Sequence, residues 1–222
     1  MNAPGRVVDP SGSRGAAVGL AHTSDRARLD FAQLWPVRLA SVVIGILWFT
    51  QVLWKLPWNG FVNPGETPNG LTLNTQITAQ QPGPFVDNGH GLYHWMTQEA
   101  LHGNWLLPFY GDLIKNLALP NWQLVGWLTF FMESFIAISL LFGLFSRLGG
   151  LVSFVQAINL FLGLSMAPGE WVWAYVMLFT LGFIFMVTGP GRLWGVDQYL
   201  RPRLREQMEG GSRLAKWLYL LT

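Results

Sequence analysis

The chain has 222 residues and a formal net charge of +2, with 51% hydrophobic and only 12% charged residues. A soluble domain carries about 25% charged residues, so the composition excludes an ordinary soluble enzyme, and the small net charge gives no electrostatic footprint for nucleic acid. Cysteine is absent, which excludes disulfide staples, Cys-ligated iron–sulfur clusters and a dithiol relay within this chain.

Residues 1–33 are polar, rich in Gly, Ser, Arg and Asp, with no apolar h-region. They are expected to form a flexible cytoplasmic tail without a cleavable signal peptide. A first membrane span follows. Its charge-free core runs from Leu39 to Trp54, between Arg38 and Lys55. That core is short for a bilayer, but the flanking stems can snorkel, so the span is placed at about 35–57. A second span is placed at 121–145, a third at 149–168 and a fourth at 171–190. Residues 201–222 read as a basic cytoplasmic tail. The expected fold is therefore all-α, a four-transmembrane-helix bundle occupying 34–200, with a long outward-facing loop at 58–120.

Lysine and arginine set the expected orientation. Of fourteen, all but Lys55 and Lys115 fall before the first span, in the turn between the second and third, or after the fourth. By the positive-inside rule both termini are cytoplasmic, in a multi-pass protein of the inner (plasma) membrane. The tight turn Ser146-Arg-Leu-Gly-Gly150 makes spans two and three antiparallel neighbours, and the short turn at 167–171 does the same for spans three and four. Arg38 and Arg147, at the cytoplasmic edge, are expected to contact lipid headgroups.

The outer loop is longer than a passive linker needs. Turn formers break its first half. Its second half, 91–116, is helix-like but interrupted near Pro108, with Leu101, Trp105, Phe109 and Leu113 recurring every four residues. Short helices lying on the outer membrane surface are expected there, capping the bundle or docking a partner subunit.

Glu133 is the residue most in need of an explanation. It sits at the middle of an apolar span, where a carboxyl is expensive unless it faces a polar partner or cavity. Gln51 and Lys55 share a helix face in the outward half of span one, and Lys55 is within reach of Glu133 if its stem points inward. Gln156 and Asn159, three apart on span three, and Ser139 and Ser153 serve either as interhelical hydrogen-bonding groups or as pocket lining. Trp54 and Trp58 could flank a planar headgroup, and Tyr93 or His94 could contact a quinone at the outer interface. No metal site is expected, because Gly89 and Gly91 flank His90 and argue against a firm helix joining it to His94. No histidine lies in any span, so a bis-His haem within the membrane is excluded for this chain alone.

Three segments together resemble the DoxX/DoxD family of small four-span membrane proteins. The stretch from Arg38 through Gln51-Val-Leu-Trp-Lys-Leu-Pro57 looks like the family's opening span with its Lys-Leu ending. Glu133 followed by Leu140-Leu-Phe-Gly-Leu-Phe-Ser-Arg-Leu-Gly-Gly150 is similar to its Glu span and Leu-x-x-Gly-x-x-x-Arg turn. Gly195-Val-Asp-Gln-Tyr-Leu200 is similar to its Gly-x-Asp ending. The long Trp-rich outer loop points to the DoxD side, known as the membrane subunit of thiosulfate:quinone oxidoreductases. The resemblance implies a quinone-linked electron-transfer subunit, with Lys55, Glu133, Arg147 and Asp197 at motif positions. Glu133 and Lys55 would then steer protons and orient a quinone, beside Gln51, Trp54, Trp58, Tyr93, His94, Gln156 and Asn159. Partner subunits would bind at the outer loop or the tails. The competing expectation is a non-catalytic accessory subunit that stabilises a larger respiratory or photosynthetic membrane complex.

Overall fold

The structure, a computed structural model, describes residues 35–53, 55–56, 92, 96 and 103–222. Among these residues there is no strand. Helix α1 spans Trp35–Leu53. Helix α2, Pro108–Leu113, runs directly into a π-helical turn, Ile114–Ala118. Then come α3 (Trp122–Phe142), α4 (Ser146–Leu164) and α5 (Val172–Thr188). A short 3-10 turn, Pro190–Arg192, leads to α6 (Asp197–Glu209) and α7 (Arg213–Leu221).

Three of these helices are long and apolar enough to cross a membrane. Trp35–Leu53, Leu124–Phe142 and Ser146–Leu164 each supply 19 residues at mean hydropathies of 1.6, 1.9 and 1.4. Nineteen residues rise about 28 Å, close to the hydrocarbon thickness of a bilayer. Helix α5 is equally apolar in character but has only 17 residues. Leu39, Val43, Ile46, Leu128 and Phe131 are exposed on the outside of the bundle. Side chains of that kind facing outward over the length of a helix have lipid as their solvent. The chain is a multi-pass membrane protein.

The bundle core is built from Ile44 and Trp48 of α1, Ile136, Ala137 and Leu140 of α3, and Phe185 of α5. Because lipid offers no hydrophobic drive between helices, close backbone approach is the main source of cohesion. Glycine permits that approach. A Cβ on Gly45 would lie 2.7 Å from the Leu141 nitrogen, and one on Gly182 would lie 2.6 Å from the Phe154 nitrogen. Among the described helices from α2 onward the α4–α5 pair is the most extensive, and α3 packs beside α4, so both expected hairpins are present. Helix α1, whose neighbours the sequence left open, lies against α3 through Gly45 and against α4 through Trp48, whose Nε1 donates to Ser153 Oγ at 3.2 Å.

At one end of the bundle the three family-like segments meet in a polar joint. Gly143 ends α3 in the left-handed region, at φ 65°. The Asp197 carboxylate then accepts from the Phe145 and Ser146 nitrogens at 2.7 and 2.8 Å, capping α4 from a distant part of the chain. The Asp197 and Val196 nitrogens donate back to Gly143 O and Phe142 O. Arg38 donates to Leu140 O at 2.7 Å and Leu141 O at 2.8 Å, satisfying carbonyls at the end of α3. Arg38 is only 4% exposed, which corrects its expected place among lipid headgroups: four acceptors inside the protein hold it instead. Arg147 is half-buried and donates from Nε to Met186 O.

The opposite end is covered by the described parts of the loop. Pro108 opens α2 as a first-turn proline rather than breaking a helix. The face that packs inward carries Tyr110, Gly111 and Ile114, against Trp105 and Leu162. Phe109, Leu113 and Leu117 point away and are exposed. The expected four-residue stripe therefore exists over Phe109 and Leu113, but it is the outer face of the element, and Leu101 lies outside the described residues. Leu92 and Trp122 are each 1% exposed and pack together with Met96. The segment 201–222, expected as a tail, is helical: it falls within α6 and α7, which pack on each other, with α7 also packing on α4 and α6 on the Pro190–Arg192 turn.

Candidate functional site

The middle of α3 carries a buried carboxylate whose partners come from two other elements. Glu133 lies about 16 Å along α3 from Trp122. Lys55, just beyond α1, reaches it: Nζ donates to Oε1 at 2.9 Å and to Oε2 at 2.7 Å. The two side chains are 6% and 1% exposed. Gln156 of α4 adds a third donor, from Nε2 to Glu133 Oε1 at 3.0 Å. A buried ion pair persists only when its remaining hydrogen-bonding capacity is met, and here three N–H groups converge on one carboxylate.

The polar chain continues outward. Asn159 donates from Nδ2 to Gln156 Oε1 at 3.2 Å. The Tyr110 hydroxyl bonds Asn159 Oδ1 and, at 3.2 Å, the Asn159 carbonyl oxygen. Burial pushes the Tyr110 hydroxyl up to about 12 from its ordinary 10.0, so it keeps its proton and acts as a donor. Lys55, Glu133, Gln156, Asn159 and Tyr110 thus form one hydrogen-bonded series that runs from the middle of α3 to the loop-covered end. Beside Tyr110 an open cavity of about 360 Å³ is lined by Gly103, Asn104, Trp105, Pro108, Asp112 and Met166.

The structure brings together four of the residues singled out from sequence: Glu133, Lys55, Gln156 and Asn159. Gln51 is exposed on α1. Trp54, Trp58, Tyr93 and His94 lie outside the described residues. Tyr110 is a member of the series that the sequence does not single out, because next to Trp105, Leu106 and Phe109 it reads as one more apolar side chain. Its hydroxyl was the available signal, since a phenol on an inward-packing helix needs a polar partner. Ser153 serves as an acceptor between helices, and Ser139 Oγ donates to Leu144 O at 2.7 Å within the α3–α4 turn. Asp197 and Arg147, placed by motif alone, act in capping and bracing the opposite end.

A family model described as TQO small subunit DoxD matches residues 105–220. The match takes in Tyr110, Glu133, Gln156, Asn159 and Asp197, while α1 and Lys55 precede it. No solved structure matches the chain at a significant level. More than half of the chain is covered by this one model, and the bundle is helical and membrane-spanning as a subunit of that kind requires. The chain therefore belongs to the DoxD family, the small membrane subunits of thiosulfate:quinone oxidoreductase-like, quinone-linked enzymes.

Proposed function

We propose that the Lys55–Glu133 pair is the point at which this subunit exchanges protons with a quinone headgroup and holds it in place. The single observation that carries this reading is the buried series Lys55–Glu133–Gln156–Asn159–Tyr110. A quinone accepts two electrons and two protons on reduction, so its carbonyl oxygens need donors and a proton source. The donor set is suited to that task. Lys55 and Gln156 both aim N–H groups at Glu133, and protonation of that carboxylate would loosen both bonds and free the donors for a carbonyl oxygen. Glu133 holds the proton, Lys55 supplies the balancing charge, and Gln156 fixes the carboxylate's orientation. The electrons come from a partner subunit with its own redox centre.

The same reading takes α5 as a fourth span. Seventeen residues fall short of a full bilayer, but the short helix is flanked by Trp171 and Trp173 at one end and Arg192 at the other, residues that sit at membrane interfaces. With four spans, the distribution of Lys and Arg supports both termini lying on the cytoplasmic side of the plasma membrane. The loop-covered end then faces outward and is the place for a partner subunit.

Glu133→Gln tests the proposal. The amide keeps most of the hydrogen bonds but cannot take up the proton. The variant is expected to lose stability, because Lys55 keeps its charge without the carboxylate, and in the molecules that assemble to slow quinone reduction at least about a hundredfold, in keeping with the usual contribution of a general acid–base group. Full quinone turnover in correctly assembled Glu133→Gln protein would remove the proton role and leave an accessory, assembly-holding subunit.

A further inference from the structure

At the far end of the bundle from the loop, α7 has more apolar surface than the protein covers. Its inner face, Ala215 with half-buried Tyr219, packs inward. Leu214 and Trp217 are each 69% exposed and Leu220 is 49% exposed. Spaced three apart, these three form a second stripe on the helix. Arg213 and Lys216 flank it, both exposed. On the adjoining α6, Arg203 is exposed and Tyr199 is 69% exposed. A helix with an apolar stripe, an outward Trp and a basic margin has the composition of an element lying in a bilayer surface.

The charge at the base of this hairpin has the same sign. Arg147 and Arg192 approach the same point, since a Cβ on Gly189 would lie 3.0 Å from Arg147 Cγ and 2.9 Å from Arg192 Nε. Arg192 and Arg201 both donate to Thr222 O. Among the described residues none of these three guanidinium groups pairs with a carboxylate side chain, and the buried Arg192 Nε has no acceptor. Asp197, the nearby acid, is fully buried and spends its oxygens on the Phe145 and Ser146 nitrogens. Burial first, then repulsion from Arg201 and Arg147, lowers Arg192 from its ordinary value. An excess of positive charge of this kind attracts anionic headgroups within about a Debye length.

We infer that the α6–α7 hairpin is an in-plane anchor that lies in the headgroup layer and binds anionic phospholipid, with Leu214, Trp217 and Leu220 against the acyl chains and Arg213, Lys216 and Arg203 against the phosphates. The occupant is the bilayer that the preceding helices cross. The hairpin starts nine residues after α5 ends, so it stays at the membrane surface wherever α5 enters, and its basic margin complements an acidic lipid surface.

The absence of cysteine allows a clean test on the full chain. Single cysteines replace Leu214, Trp217 or, as a control on the polar side of α6, Glu206, and each carries a fluorophore. The labelled proteins are reconstituted in vesicles of zwitterionic lipid with or without phosphatidylglycerol. Labels at 214 and 217 are expected to be quenched by spin-labelled phospholipid and protected from aqueous iodide, with the reverse at 206. Spin-labelled phosphatidylglycerol should quench more strongly than its zwitterionic counterpart. Arg213→Gln or Lys216→Gln should each reduce that preference about fivefold. Equal iodide access at 214 and 206 would overturn the inference. So would equal quenching by the two lipids, loss of the preference on adding inorganic phosphate, or protection that appears only when partner subunits are present.

Discussion

Glu133 is tolerated in the middle of α3 because two cationic N–H contacts from Lys55 and one amide N–H from Gln156 converge on it. Removing one partner of a buried pair strands the other. Lys55→Met alone is therefore expected to lower stability by about 3–5 kcal/mol, whereas Lys55→Met with Glu133→Leu should recover most of that loss. Thermal unfolding of the purified chain in detergent checks both. A single variant as stable as the parent would show that water, not Lys55, balances the carboxylate. Tyr110 makes a separate prediction. Its folded value, about 12, is above the ordinary 10.0, so the folded state holds the phenol proton more tightly than the unfolded state does. The stability linked to it is fully present below pH about 10 and is lost as pH rises towards about 12. A tyrosinate absorbance titration should show one tyrosine ionising in that upper range, and Tyr110→Phe should abolish it.

At the scale of elements, the two ends of the bundle use different physics. The loop-covered end is held by aromatic packing. Gly111 sits so close to the Trp105 indole that any side chain there would displace the ring. The other end is held by polar capping between segments distant in sequence. Phe145 adopts φ 48°, in the left-handed region that costs a non-glycine residue energy, and the Asp197 carboxylate on its nitrogen and that of Ser146 secures this turn. Asp197→Ala should lower stability by about 2 kcal/mol, as expected for loss of a charged helix cap. It should leave quinone turnover per folded molecule unchanged, because it is remote from the Lys55–Glu133 pair. A selective loss of turnover at normal melting temperature would make Asp197 part of the site instead. The Leu-x-x-Gly-x-x-x-Arg turn and the Gly-x-Asp ending thus gain a structural reason: Gly143, Gly191 and Gly195 meet backbone to backbone, and the acid caps the helix between them.

For the whole molecule, the proposed topology predicts that cysteines introduced singly at Asn104 and Ser212 react with an impermeant reagent from opposite faces of the membrane. Labelling of both from one face would reverse the assignment of α5 as a span. The all-α membrane class was legible in the sequence, because lipid admits only helices or closed barrels, and long continuous charge-free runs are the pattern of helices, whereas barrel strands alternate apolar with polar residues. Glu133 was legible for the same reason: a lone carboxyl among apolar residues is conspicuous in one dimension. Its pairing with Lys55 was open to inference, since few cations lie in reach. The sequence could not tell that Gln156 and Asn159 belong to the same hydrogen-bonded series, that Tyr110 completes it, or that Arg38 is enclosed rather than wetted by headgroups. Helical periodicity assigns a residue to a face, but which face meets which neighbour depends on how α1 packs across α3 and α4. That packing is set by the close approach of Gly45 to Leu141 and by the Trp48–Ser153 hydrogen bond, contacts between residues far apart in the chain, and so it was decided only in the tertiary structure.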